Sequence, residues 1–436
     1  MITDYGPKAL ANISQPAKGV VYEDTTFGTR LVRLTDEADC KAASVAYSYW
    51  PTFNCDSTRL IIALDNLAML YDFDPINLSF KKVGPLFRGD SMQFEGLSWS
   101  FNNPDLVFGL AGYQSNIKIR GFDVSRGQYV IEHDFTASGE LPVGIAKQMS
   151  KARSNDRYFS FAWKSGEEAD WRYAIVYDRE LNKTYKTELP ANFDECRLDR
   201  SGKYLLIATG RDFHVWEFEA NATSIIRYDQ IERAGGHYDL GDRALVHVDT
   251  FGFTGNRTIR VDLAAPHTWK QIFDCGVKDW GTDQHISMLG PNDTWALISS
   301  RTVPRDFSIP FTNEIFLVKT NGSGEVVRIA HHRSSNVSYE VMPKANLSPD
   351  GRFVAFNSDW FGGHQDVYIA ALPDGLWGAA SIPTIPTPIP TPQPPIIVSP
   401  PTPTPTEPIK PHQPKRTLEE RKDNRREKRQ EKRRKP

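Results

Sequence analysis

The sequence predicts an all-β fold, a single seven-bladed β-propeller followed by a disordered proline-rich linker and a basic tail. Three observations carry that reading. A degenerate turn-and-strand repeat recurs seven times, aromatic residues are abundant while long apolar helical patterns are missing, and an unused N-terminal strand is placed to close a ring. The chain has 436 residues, including 10 Trp, 16 Tyr and 24 Phe. Its composition changes near residue 373, and the part before that is longer than the usual single-core domain of about 100–200 residues. An architecture that grows by adding modules resolves the excess.

The clearest copy of the repeat is Leu347-Ser-Pro-Asp-Gly-Arg-Phe-Val-Ala-Phe-Asn-Ser-Asp359. It reads as the end of an inner strand, a Pro-Asp-Gly turn and an apolar second strand, because Asp bonds its own backbone and Gly accepts a positive φ. Degenerate copies begin at Asn54, Phe101, Ser154, Leu198, Leu240 and Leu289, spaced by roughly 40 to 58 residues. That spacing suits four short strands and their turns. Third strands follow at Leu67–Asp72, Ile117–Asp123, Tyr173–Asp178 and Glu314–Lys319, and outer strands at Thr184–Glu188 and Val326–Ile329. The seventh unit has strands near Val341–Leu347, Arg352–Asn357 and Asp366–Ala371 but no outer strand before the prolines begin. Thr29–Thr35 is left over at the N-terminus, and pairing the two would close the ring and remove its open edges. The domains read as an extension over 1–18, the propeller over 19–373, a Pro/Thr-rich linker over 374–414 and a basic tail over 415–436.

Leu347–Asp359 followed by Asp366-Val-Tyr-Ile resembles the WD40-like repeats of TolB-type bacterial propellers, as do Phe27–Asp36 and Trp50–Asp56. The resemblance spans about residues 19–373 and implies the fold; propellers serve as binding scaffolds and as enzymes alike. A weaker resemblance is to oligogalacturonate lyases, which cleave uronate chains by β-elimination with a manganese ion at one end of the channel.

Propeller sites lie at an end of the channel, where each inner strand delivers side chains. Residues just ahead of each turn give a candidate ring of Tyr49, Glu95, Lys147, Glu195, Arg197, His237, His285, Glu340 and Lys344. Bases, acids and histidines together suit an acidic sugar, with Arg197 or Lys147 neutralising its carboxylate and His237 or His285 acting as base. Under the lyase resemblance a Gln and paired histidines precede the last turn as metal ligands; here that stretch is Tyr339–Lys344 and holds no histidine. His331, His332 and Glu340 are the nearest candidates for a metal, manganese under that alternative, and no cofactor is otherwise expected. Trp163, Trp171 and Trp280 are candidates for blade packing or for stacking on sugar rings. No GxSxG elbow, Walker loop, GxGxxG or HExxH motif is present. The preferred reading is a scaffold, most simply a monomer, that binds a protein or glycan at its channel face; the alternative is a polysaccharide lyase acting on uronates.

Four scattered cysteines, Cys40, Cys55, Cys196 and Cys275, form no CxxC pair and read as small buried hydrophobes. No run of about 18 apolar residues predicts a transmembrane helix, and Met1–Val21 has no signal-peptide core. Residues 381–414 contain 14 prolines, which favour an extended polyproline II stalk of the kind found on surface and secreted proteins. The tail over 415–436 carries 12 basic against 5 acidic residues, leaving 40 against 49 in the remainder: an acidic body with a tail suited to an anionic partner or surface. The compartment is left open.

Overall fold

The computed structural model describes residues 1–378 apart from 88–93, 95, 154–155, 210–211, 227–236, 250–256, 278–281 and 303–304. The linker and basic tail read from the sequence fall almost wholly outside the described residues, as do Glu95 and Trp280.

Seven antiparallel sheets follow one another along the chain, each entered by its innermost strand. Those inner strands are Ala43–Ser44, Ser98–Trp99, Gly144–Lys151, Phe193–Leu198, Tyr238–Leu240, Thr282–Ser287 and Asn346–Leu347, in blades 1 to 7. Second strands such as Leu106–Ala111 and Phe353–Ser358 are buried throughout, because neighbouring blades cover both of their faces. Outer strands such as Lys183–Glu188 reach solvent and read as mixed polar sequence. The cores accordingly lie between blades. Leu297 and Leu317 of blade 6 pack with Val354 and Phe356 of blade 7, and each such buried side chain contributes about 1.5–3 kcal/mol.

The repeat's turn takes the predicted form. Gly351 has φ +73°, and the Ser348 hydroxyl accepts from the Arg352 and Phe353 amides. Trp377, past the last strand, donates Nε1–H to the Gly351 carbonyl at 2.8 Å and covers the turn, so a side chain at 351 would be strained and crowded.

The ring closes as the leftover strand predicts. Thr29–Arg33 pairs antiparallel with Asp366–Ala371, with Leu31 opposite Ala370 and Arg33 opposite Tyr368. Two additions were not predicted. Val21–Asp24 folds back on Thr29–Arg33 as a fifth strand of blade 7, and Tyr113–Ser115 adds to the inner strand of blade 3. The first eighteen residues also run along the blades. Tyr5 packs on Phe273 and Phe311 and donates to the Gly324 carbonyl at 2.7 Å, while the buried Arg328 grips the Gly6 carbonyl and the Glu314 carboxylate.

A buried carboxylate fastens the closure. Asp366 is fully shielded from solvent and receives Arg33 at 2.7 Å, the Thr35 hydroxyl at 3.0 Å and His364 Nδ1 at 2.9 Å. The other His364 nitrogen faces the Cys40 carbonyl at 2.9 Å. Two acceptors require two donors, which only the imidazolium supplies. Burial opposes that charge, but Asp366 and the carbonyl outweigh it and His364 is held above its ordinary value. A raised imidazole stabilises fully below the unfolded value of about 6.5, and its contribution is lost as pH rises through the folded value. The stability gap between the wild type and His364→Gln should therefore narrow from pH 6 to pH 8 in urea titrations; a constant gap would rule out the charged form.

The four cysteines are free thiols; Cys196 and Cys275 are buried and Cys40 and Cys55 half-buried. Burial pushes the Cys196 thiol up to about 12. Among the described residues no helix is long and apolar enough to cross a membrane.

Candidate functional site at the channel mouth

Inner strands begin at one end of the channel, and their alternate residues face its axis. On blade 4 this brings Glu195 and Arg197 inward together. The Arg197 guanidinium lies between two rings, 3.5 Å from the centre of Tyr49 and 4.0 Å from that of Tyr238. It bonds Asp239 at 3.1 Å and the Tyr238 carbonyl at 2.8 Å, and Glu195 lies 3.6 Å away. Tyr49, from blade 1, reaches across to donate to Glu195 at 2.7 Å. Blades 1, 4 and 5 are thus pinned together on the axis.

Nearer the mouth a second layer gathers from blades 1, 5, 6 and 7. His237 and His285 stack with ring centres 4.0 Å apart. Asp283, two residues before His285 on the same strand, lies 2.9 Å from His237 Nδ1, which also faces the Gln284 carbonyl at 3.0 Å. On the other side His237 Nε2 is 3.5 Å from the Tyr339 hydroxyl, which donates to Tyr47 at 2.5 Å. The Lys344 ammonium sits over the Tyr339 ring at 4.1 Å and within 5.7 Å of that of Tyr47. Lys344 has φ +42°, a conformation that non-glycine residues hold only where their surroundings enforce it.

The two histidines differ sharply. His285 is wholly buried, neither ring nitrogen has a hydrogen-bond partner among the described residues, and burial with the adjacent His237 holds it well below the ordinary imidazole value. His237 keeps part of its side chain in solvent. Burial raises the Asp283 carboxyl, but His237 overrides it and the group is depressed overall. A carboxylate-held imidazole facing a phenol pair can bind a polar ligand or move a proton.

The structure brings His237, His285 and Lys344 to one place, with Arg197 just below. Arg197 is 4% exposed and bonded to Asp239 and the Tyr238 carbonyl, so it ties the blades together beneath the layer where the sequence had suggested it for a ligand's carboxylate. Lys147 stands apart on blade 3, donating to the Asp194 carbonyl at 3.1 Å with its ammonium 4.6 Å from the centre of the Trp171 ring. Trp163 is buried in the blade 3 core.

The suggested metal group does not assemble. His332 is buried with both nitrogens used, one toward the Ser300 carbonyl at 2.8 Å and the other accepting the Ser334 amide at 3.0 Å. His331 is wedged between Phe27 and Phe307 on the outer strand of blade 6, and burial takes it down to about 3. Glu340 is exposed. Among the described residues no three His, Cys, Asp or Glu side chains are grouped to hold an ion.

Sequence reasoning missed Asp283 and Tyr339 and left Tyr47 unassigned. The signal for Asp283 was present: strand alternation puts residues 283 and 285 on one face. Tyr339 gave none, because it lies in an irregular segment ahead of its strand.

No family profile matches the chain, that of TolB-type propellers included, and no curated protein is similar to it. Solved structures do match. An oligogalacturonate lyase in complex with manganese superposes with a TM-score of 0.60 at 15% identity, over 83% of this chain and all of that one. The oligogalacturonate lyase of Vibrio parahaemolyticus gives 0.60 at 14% identity, over 82% of this chain and 99% of its own. The shared feature is the propeller fold. The donor set here does not fit a manganese ion: His237 turns Nδ1 to Asp283 and Nε2 to a phenol, and Lys344 places a positive charge beside His285.

Proposed function

We propose that the protein is a binding propeller that takes an acidic glycan at its channel mouth. The observation that carries this reading is the Lys344 ammonium held over Tyr339 and Tyr47 beside the half-exposed His237. Aromatic faces suit the apolar faces of sugar rings, and a fixed cation beside them selects a carboxylate. The strained backbone of Lys344 fits a position kept for a ligand rather than for stability. Calorimetric titration with a galacturonate oligomer and its methyl ester tests it. Lys344→Met should weaken binding of the acid about tenfold, equivalent to about 1.4 kcal/mol, and leave the ester unchanged. Both proteins carry the same basic tail, so its adhesion to the acid cancels in the comparison. Equal affinities would overturn the reading.

One observation favours a second reading, cleavage of the same chains by β-elimination. Asp283 orients His237 toward a pair of phenols, which is acid–base geometry. Ultraviolet absorbance of an unsaturated product, with and without added manganese, separates the two. A rise that His237→Ala abolishes would replace binding by lysis.

A further inference from the structure

Strained backbone collects in the loops at the mouth-side corner of blades 6 and 7. Inner strands run inward from the mouth and second strands return to it, so each connection from second to third strand lies on the mouth face. In blade 6 that connection, between Trp295–Thr302 and Glu314–Lys319, holds Arg305. In blade 7, between Phe353–Ser358 and Asp366–Ala371, it holds Trp360 and Phe361. Trp360 has φ +45° and Phe361 φ +70°, a left-handed backbone that is costly for bulky side chains and rarer still for two in succession.

The two aromatic residues use that backbone differently. Trp360 stacks on Tyr368 with ring centres 5.5 Å apart, meets Tyr22 edge-on and lies under the Arg333 guanidinium, so packing holds it in place. Phe361 belongs to none of the hydrophobic cores and stacks on no other ring among the described residues. Its ring meets the Arg305 guanidinium, 4.7 Å from the ring centre. Gly362 follows, exposed, with open space where a side chain would point. The strain at Phe361 therefore sets a ring at the surface and fills no core.

Arg305 is exposed and makes no ion pair among the described residues. The adjacent Asp306 serves its own turn, where its carboxylate accepts the Ser308 amide at 2.9 Å and hydroxyl at 2.6 Å. A cation beside an aromatic ring repeats the pairing of Lys344 with Tyr339 at the mouth. The segments that carry the two pairs are stitched together. The Phe361 amide donates to the Arg333 carbonyl at 2.7 Å and the Ser335 amide to the Asp359 carboxylate at 2.6 Å, and Tyr339 and Lys344 lie further along that same segment.

We propose that Arg305 and Phe361 form a second subsite for the acidic glycan taken at the mouth, one carboxylated sugar at Lys344 and another at Arg305. The inference rests on the mouth being the glycan site proposed above, and it names the ligand further: a chain with repeated carboxylates, gripped at two points, and not a single terminal acid.

Calorimetric titration of the full-length protein with galacturonate and with its hexamer tests the subsite. The monosaccharide fills one subsite and the hexamer spans both. Arg305→Met should weaken binding of the hexamer about tenfold and leave the monosaccharide unchanged. Arg30→Met, which removes an equal charge from an exposed position on the closing strand, should leave both affinities as they are. Phe361→Gly should weaken the hexamer likewise yet unfold no earlier than the wild type, because glycine accepts φ +70° without strain. A hexamer bound as tightly by Arg305→Met as by the wild type would overturn the proposal, as would an equal loss in Arg30→Met. A lower unfolding midpoint for Phe361→Gly would assign the ring to packing and remove it from the site. Lys344→Met tells failure of the subsite from failure of the mouth: it should weaken both ligands, and if it weakens neither, the mouth is not the glycan site whatever Arg305 does.

Discussion

Replacing Asp366 by Asn should cost the protein about 3–5 kcal/mol, the penalty for leaving one partner of a buried ion pair uncompensated. Arg33, 8% exposed and bonded to Asp366 through two of its nitrogens, would keep only the solvent-exposed Glu37 at 3.1 Å as a counter-charge. The loss is not confined to one pair. Asp366 begins the last strand of blade 7, Arg33 ends the N-terminal strand that closes it, and Thr35 and His364 bond the same carboxylate. When that contact fails, both strands become open edges. Asp72→Asn is the control: its Arg59 partner lies 3.6 Å away and the carboxylate is 55% exposed, so solvent screens the pair and the change should stay below about 1 kcal/mol. Guanidinium midpoints for the two variants measure the contrast. Equal shifts would mean that the closure does not depend on the buried carboxylate.

That closure shows what was legible in the sequence. Strand pairing is written in apolar runs and turns, and the leftover Thr29–Thr35 strand pointed to its partner because an unmatched edge is costly. The same logic failed for Val21–Asp24, half of which reaches solvent and shows no apolar run to mark it. At the mouth, His237 and His285 were found because they precede recognisable turns. The part Arg197 plays was not legible: a basic residue ahead of a turn looks the same whether it faces solvent or lies between two tyrosines. Only the ring's geometry brings Tyr49, from far along the chain, against it. The histidines of the suggested metal group failed for a related reason. His331 and His332 adjoin in sequence, but on a strand neighbouring residues point to opposite sides, and each is absorbed by a different environment.

Arg197 supplies the second large effect. Arg197→Met should destabilise the fold by about 3–5 kcal/mol, because Glu195 and Asp239 would then face each other's charge in the channel without their cation. Lys344→Met, at the mouth, should leave the unfolding midpoint within about 0.5 kcal/mol of the wild type. The two basic residues should therefore separate, Arg197 in stability and Lys344 in the ligand binding proposed for it. The cause of the Arg197 loss can be isolated by removing the charges it balances. Arg197→Met combined with Glu195→Gln and Asp239→Asn should recover a large part of the loss, since exchanging a whole buried ionic network for uncharged groups is far less costly than breaking it. Failure to recover would assign the effect to the stacking of the guanidinium between Tyr49 and Tyr238 instead. A single variant as stable as the wild type would show that blades 1, 4 and 5 hold together without their central cation.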